Sequence, residues 1–433
     1  MDTSCARPLH TLTATQIVAA ISAGETTCEA VARACIAHIA EREPQVQAWQ
    51  YLDRDYVIKQ AQVLDRNGKR GPLIGVPYGV KDIIDTADMP TEYGTPIHKN
   101  HRPQRDAACV ALTRKAGAVL MGKTVTSEFA NVHAGKTRNP HDPARTPGGS
   151  SSGSGAAVGA DMVPLALGTQ TTGSTTRPAS FCGVFGYRPT WGDLRLNGVM
   201  EASGTLDTLG IFARSVEDVA LYRDVLLGVE PQALVDFKGP LRIGFCRTHN
   251  WPKIEATTQK LLEGAAAQLA RFGAVVEDVS LPKEFEGLED AHRWISGFEM
   301  ARNLTWEIEN HWDDISAAFR NGRLTDGLAC TYEQYVATRH LLHQCRKLLL
   351  PTLDEYDVLL APAAAGEAPI GSHPVPDPWV YMMWTTMHLP TITLPVFKGP
   401  NGLPIGAQLL TRHYEDRRLL AIARSVYRQL THA

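Results

Sequence analysis

Apolar residues recur at helical spacing over residues 13 to 42: Ile17, Val18 and Ile21, then Ala30, Val31, Cys35, Ile36 and Ile39. The Ala23-Gly24 pair interrupts this run, and Thr26 and Thr27 offer N-cap side chains for a restart, so two helices are predicted. The pattern then changes. LIGVPYGVKDIIDT (73 to 86) is β-branched and punctuated by Gly and Pro, which predicts a buried, interrupted strand with Lys81 and Asp82 inside it. From residue 106, DAACVALTRKAGAVLMGKT reads as a helix closing at Gly117 and a short strand from Val119 to Met121, a unit of α/β proteins. A helix over 255 to 271 runs into a strand, AVVEDVSL (274 to 281), and YDVLLAPA (356 to 363) and PTITLPVF (390 to 397) are strand-like. The chain closes with a helix, DRRLLAIARSVYRQL, and contains no internal repeat.

Composition narrows the function class. The chain has 433 residues, 44% of them hydrophobic and 21% charged, enough for a large buried core. A net charge of −3 supplies no field for phosphate backbones or anionic lipid, so neither nucleic acid nor a membrane is expected as partner. MDTSCARPLHTLT lacks a basic stretch followed by an apolar core, and no run of 18 apolar residues occurs, so a cytoplasmic location is expected. The eight cysteines are scattered without a C-x-x-C pair and read as reduced thiols. His340 and His343 could share a helix face, but zinc proteases space their histidines at i,i+4 with a Glu after the first, where this chain has Leu341. No metal and no cofactor are expected.

PGGSSSGSG (147 to 155) has the composition of a flexible tether. A tether would be followed by a new start, yet AAVGADMVPLALGTQTTGSTTRPASFCGVFGYRPT continues as dense small and apolar sequence suited to a buried α/β unit. The segment is therefore read as a site: glycines permit close backbone approach, and serines supply hydroxyls and cap a helix starting near Gly155. Neither GxxxxGK[ST] nor GxGxxG is present, which argues against a phosphate cradle. A second cluster, GTQTTGSTTRP (168 to 178), places Gly173 before Ser174, 24 residues beyond Ser150. A serine on such a turn can attack a carbonyl, with neighbouring N–H groups stabilising the oxyanion. No G-x-S-x-G elbow accompanies it, so a base other than histidine is expected.

Lys81 in GVPYGVKDIID, RTPGGSSSGSGAAV, LGTQTTGSTTRPASFCGVFGYRPT, SGTLDTLGIFARSVEDVA (203 to 220) and GLPIGAQLL (402 to 410) together resemble the amidase signature family of serine hydrolases. The resemblance implies an α/β fold of one large domain over 1 to 433, a mixed β-sheet flanked on both faces by helices. It implies a signature core at about 70 to 225, a variable region at about 230 to 350 carrying specificity or homodimer contacts, and a C-terminal part of the core over about 355 to 433. It also implies a Ser-cisSer-Lys triad: Ser174 as nucleophile, Ser150 as relay after a cis peptide, Lys81 as base. The main-chain N–H groups of Thr171, Thr172, Gly173 and Ser174 are the expected oxyanion hole, and Asp207 is read as structural. An apolar strand environment suits the lysine, because lost solvation lowers its pKa and frees the amine to accept a proton. Many members carry GTDTGGSIR, whereas this chain has Gln170, Thr172 and an arginine one place later, at Arg177. The lost acid and displaced arginine suggest a linked change in one polar pair.

The expected activity is hydrolysis of a small-molecule carboxylic amide to acid plus ammonia or amine. A glutaminase subunit of a tRNA-dependent amidotransferase, a carbamoyl or urea-type hydrolase, and a non-catalytic scaffold on the same fold are the alternatives. EFANVHAG (128 to 135) and WVYMMWTTMHLP (379 to 390) are candidate walls of the substrate site, with Phe129, His133, Trp379 and Trp384 as candidate contacts.

Overall fold

The computed structural model describes residues 7–68, 71–371 and 380–431. Its strands are β1 (Trp49–Leu52), β2 (Pro77–Lys81), β3 (Val119–Thr124), β4 (Leu165–Gln170), β5 (Phe185–Arg188), β6 (Thr208–Ala213), β7 (Arg242–Cys246), β8 (Val275–Val279), β9 (Val358–Pro362), β10 (Thr391–Lys398) and β11 (Pro404–Leu410). They join in one mixed sheet, ordered β1-β3-β2-β4-β6-β5-β10-β11-β9-β7-β8. The β3-β2-β4 and β9-β7-β8 sets are parallel, and the strands between them are antiparallel.

Successive side chains of a strand point to opposite faces, and here both faces are apolar. Tyr78, Val80, Leu120, Leu165, Leu167 and Ile211 enter one core, while Val119, Met121, Ala166 and Phe212 enter another. The helices Val216–Leu227 and Asp416–Thr431 cover the first face, and Cys28–Val46 and Ser152–Gly159 the second. A single domain with helices on both faces of a mixed sheet is thus what forms.

The helical periodicity at the N-terminus becomes Ala14–Ser22 and Cys28–Val46. Thr13 caps the first through a reciprocal box with Gln16, and Thr27 caps the second by accepting from the Ala30 N–H. The strand expected over 73 to 86 is shorter. Gly75 at φ +68° turns the chain before β2, and the Ile83 and Ile84 N–H groups both donate to the Lys81 carbonyl, closing a turn at its end. Lys81 is therefore the last residue of its strand, at the C-terminal edge where β3 and β4 also end. Ligands of open parallel sheets collect at that edge.

The Gly/Ser segment forms the buried helix Ser152–Gly159. Its serines do not cap it, contrary to expectation. Ser151 Oγ donates to the Thr169 carbonyl at 3.1 Å, and Ser154 Oγ to the Leu167 carbonyl at 2.8 Å, because the helix lies close enough to β4 for hydroxyls to reach strand carbonyls. The helix also packs close against the backbone just before β1 and just after β3, which needs glycine at 153, where a Cβ would stand 2.3 Å from the Ala48 carbonyl oxygen and 2.4 Å from the Val125 nitrogen. Gly153→Ala is expected to destabilise the fold by at least about 1–3 kcal/mol, since backbone on both sides must move; a thermal or urea midpoint equal to wild type would refute that close packing.

Candidate active site

Three chain segments meet at the C-terminal edge of β2, β3 and β4. Lys81 brings its amine from the end of β2, fully buried. Its Nζ lies 2.8 Å from Ser150 Oγ and 2.8 Å from Thr169 Oγ1. No carboxylate of the described residues stands within ion-pair distance of it, in contrast to the other buried lysine nearby. Lys123 Nζ lies 3.6 Å from Asp82 and donates to the Ile84 carbonyl and Thr91 Oγ1 at 2.6 Å. Burial pulls the Lys81 amine down to about 7, opposed only by the more distant Asp207.

The peptide Gly149–Ser150 is cis. Its carbonyl, that of Gly149, accepts from Arg177 Nε at 3.2 Å and Nη2 at 2.7 Å, and Arg177 Nη1 donates to the Tyr381 hydroxyl at 2.8 Å. Ser150, Ser174 and Arg177 line one cavity of about 640 Å³, together with Thr171 and Thr172.

The loop from Thr171 to Ser174 is held by its carbonyls. The Gln170 carbonyl accepts from Thr208 Oγ1 at 3.4 Å, that of Thr171 from His292 Nε2 at 2.9 Å, that of Thr172 from Thr385 Oγ1 at 2.7 Å, and that of Gly173 from the Arg177 N–H at 3.0 Å. In a trans peptide the N–H points away from the preceding carbonyl. Each anchored carbonyl therefore turns the next N–H to the opposite side, and among the described residues those of Thr171, Thr172, Gly173 and Ser174 make no hydrogen bond within the protein. Four adjacent unsatisfied donors beside a cavity form a fit for a developing negative charge. Asp207, read from the sequence as structural, is buried and accepts from Thr171 Oγ1 at 2.5 Å and from the N–H groups of Ala202 and Ser203. Burial raises its carboxyl to about 7.

The candidate wall residues divide. Ala130, Asn131, Val132, Ala134 and Gly135 of the first segment do line the cavity. Phe129 does not: its ring packs against Phe319 and His98 in a buried cluster. His133 is exposed and also lies off the lining. Trp384 belongs to a core cluster with Met383, Met387 and Phe285, because the short helix Met382–Thr386 sits behind the Thr171–Ser174 loop rather than over the cavity. Trp379 lies outside the described residues. His340 and His343 are both exposed on the helix Tyr332–Glu355, and no metal-holding group of three ligands exists among the described residues. The sequence pattern did not reveal Thr169, the second hydroxyl on Lys81, nor Ser296, Met300 and Arg323, which line the far wall. Thr169 had a signal, being one place before Gln170 in the quoted motif; the wall residues stand in a region without one.

Gln170 and Arg177 have separate partners. Gln170 Oε1 accepts from the Thr175 and Thr176 N–H groups at 2.9 and 3.0 Å, at the start of the helix Thr176–Cys182, while its Nε2 donates to Thr385 Oγ1 at 2.9 Å. Thr385 spends its own hydrogen on the Thr172 carbonyl. A glutamate at 170 would set a second acceptor against an oxygen with no hydrogen left to give. Gln170→Glu is thus expected to lose about 1–3 kcal/mol of stability at neutral pH, and less once acid protonates the carboxyl; chemical denaturation at pH 5 and pH 8 reads this.

Comparison with known proteins agrees with this architecture. The family model described as Amidase matches residues 30–420. The glutamyl-tRNA(Gln) amidotransferase subunit of Chloroflexus aurantiacus is 32% identical over 98% of this chain and 97% of its own length. A crystal structure of an amidase superposes with a TM-score of 0.90 at 28% identity, covering 97% of this chain and all of that one. Peptide amidase from Stenotrophomonas maltophilia superposes with a TM-score of 0.83 at 29% identity over 97% of both chains. The motifs, the sheet and these likenesses together place the chain in the amidase family, among the amidase signature enzymes.

Proposed function

We propose that the protein hydrolyses a carboxylic amide through an acyl-enzyme on Ser174, with Ser150 and Lys81 moving the proton. The observation that carries this reading is the Lys81 amine, buried, shifted towards neutrality and hydrogen-bonded to two hydroxyls, one of them Ser150. A neutral amine there accepts a proton from Ser150 as Ser150 takes one from Ser174. Ser174 Oγ bonds to the amide carbon, and the oxyanion forms beside the N–H groups of residues 171 to 174. Collapse breaks the C–N bond, Ser150 returns a proton to the departing nitrogen, and Lys81 reprotonates Ser150. Water then attacks the ester by the same relay, releasing the acid.

A second reading keeps this chemistry and makes glutamine the amide, with ammonia delivered to a partner protein. It is favoured by relatives named as subunits of glutamyl-tRNA(Gln) amidotransferase that match almost the whole chain, at 32% and 33% identity. The cavity supplies a reason of its own. Arg323 lines the wall, and although burial lowers its guanidinium to about 10, it stays charged at neutral pH and suits an anionic group on the substrate. Free glutamine carries such a group; uncharged amides do not.

Ammonia release from aliphatic, aromatic, glutamine and urea-like amides is the primary test. Ser174→Ala is expected to abolish it, and Lys81→Met to lower kcat by about 10²–10⁴-fold. Wild-type activity should rise with pH through about 7, as Lys81 loses its proton, and level off above. Stability carries the same sign: between about 7 and the ordinary 10.5 the unfolded lysine holds a proton that the folded one lacks, so folding gains with pH across that window. Lys81→Met should make this slope shallower than in wild type, with Lys123, lowered to about 8, still contributing at higher pH, and pH-dependent thermal melts of the two proteins would show the difference. Arg323→Gln is expected to raise KM for glutamine by about 10–100-fold while leaving uncharged amides near wild type. Ammonia release from glutamine that depends on an associated protein would favour the amidotransferase reading, and release confined to uncharged amides would exclude it.

A further inference from the structure

The helix Leu288–Asn303 turns His292, Ser296 and Met300, one turn apart, towards the site. Ser296 and Met300 line the cavity, and Ser296 accepts from Arg323 through its hydroxyl. Arg323 itself follows a kink at Gly322 (φ −114°, ψ −105°) in the turn Arg320–Leu324. His292, at the other end of this row, reaches the catalytic loop rather than the cavity. Its Nε2 lies 2.9 Å from the Thr171 carbonyl oxygen and 3.2 Å from Thr172 Oγ1. A carbonyl can only accept, so Nε2 carries the hydrogen, and Nδ1 is left as a bare acceptor. That Nδ1 is buried and has no hydrogen-bond partner among the described residues. A buried orphan acceptor is a cost that packing alone does not explain, since Leu or Met would fill the space without it. Burial and the neighbouring Arg323 hold the imidazole neutral, well below its ordinary range, at about 3.

Resting on the reading of Ser174 as nucleophile, we propose that His292 is a positioning residue for the oxyanion loop. By holding the Thr171 carbonyl it fixes the direction of the Thr172 N–H, and it ties the substrate wall carrying Ser296 and Arg323 to the catalytic loop. The other carbonyls of the loop are held by partners close to the core of the site: Thr208 on β6, Thr385 behind the loop, and the local Arg177 N–H. Among these braces His292 is the one arriving from the helix that also bears the wall. Thr172 supplies the second contact of the same imidazole, through a hydroxyl that a glycine at this position would lack.

The test compares wild type, His292→Gln and His292→Leu. A small alkyl fluorophosphonate serves as probe: the Ser174 Oγ–P bond forms, fluoride leaves, and the serine proton passes to Ser150 and Lys81. The phosphonyl oxygen needs the same N–H groups as an acyl oxyanion. His292→Leu is expected to slow phosphonylation and kcat by about 10–100-fold, the range for misplacing a catalytic group, with KM for the hydrolysed amide changed less than about twofold. His292→Gln, whose amide N–H reaches a similar distance, should recover most of the lost rate, although it also removes the ring from the core. Equal rates in all three proteins would overturn the assignment, as would equal loss in both variants in step with a lowered thermal midpoint, or a rise in KM alone. Failure of wild type to be phosphonylated at Ser174, seen by mass spectrometry, would instead overturn the nucleophile and this assignment with it.

Discussion

An amine buried at the end of a strand with hydroxyls as its hydrogen-bond partners is the constraint around which the rest of this molecule is arranged. A lysine gains little from such a place. Its charged form is starved of solvent, and the two hydroxyls at 2.8 Å do not replace a carboxylate. Lys123, its buried neighbour across the β2-β3 pair, shows the stabilising solution: a carboxylate, a carbonyl and a hydroxyl around one ammonium. The two lysines share a sheet and a burial state, and differ in partners. Burial lowers both amines, but the Asp82 carboxylate keeps Lys123 at about 8, whereas Lys81, at about 7, loses its proton more easily. The sheet enforces this by ending β2, β3 and β4 together, so that Lys81, Thr169 and the serine loop converge on one edge.

The second arrangement is the use of small residues to bring backbone close to backbone. The helix Ser152–Gly159 lies against β3 and β4 with hydroxyl-to-carbonyl contacts, and a side chain at Gly153 or Gly168 would collide with its surroundings. At Gly173 a Cβ would stand 2.0 Å from the Tyr381 ring. This is why the segment resembles a linker in composition. Glycine and serine serve flexibility when nothing surrounds them and close packing when everything does. What separates the two cases is the apolar sequence that follows, and that was legible.

Other elements were legible from local pattern: β3 and β9 begin as short unbroken apolar runs, β10 opens with Thr alternating with apolar residues, and the two terminal helical regions repeat with the helical period. The strand over 73 to 86 was overextended because Ile83 and Ile84 are β-branched and yet lie in a turn, where hydrogen bonding to Lys81 outweighs their preference for extended backbone. The convergence of Lys81 with Ser150 came from family resemblance, since 69 residues separate them and periodicity carries no information about such a distance. The walls were hidden for a different reason. An aromatic segment such as 380 to 390 has the same composition whether it lines a cavity or fills a core, and Trp384 fills a core. His292 lies in ordinary amphipathic helical sequence, where a ring side chain usually faces water, and Arg323 in a short Gly-containing turn with no motif around it.

The four carbonyl anchors of the Thr171–Ser174 loop connect this edge of the sheet to the more distant wall. Among the described residues the N–H groups of Thr171 to Ser174 make no hydrogen bond within the protein, so the order of this loop comes from its carbonyl side. Each anchor then fixes the direction of the N–H that follows it. In this chain Gln170 supports one anchor indirectly, through Thr385, while also receiving the first N–H groups of the helix Thr176–Cys182. Another anchor, His292, comes from outside the segments that carry the family motifs. The helix that bears Ser296 and Met300 is thereby tied to the Thr171–Ser174 loop through His292, so a change in that wall that displaces the imidazole also releases the Thr171 carbonyl.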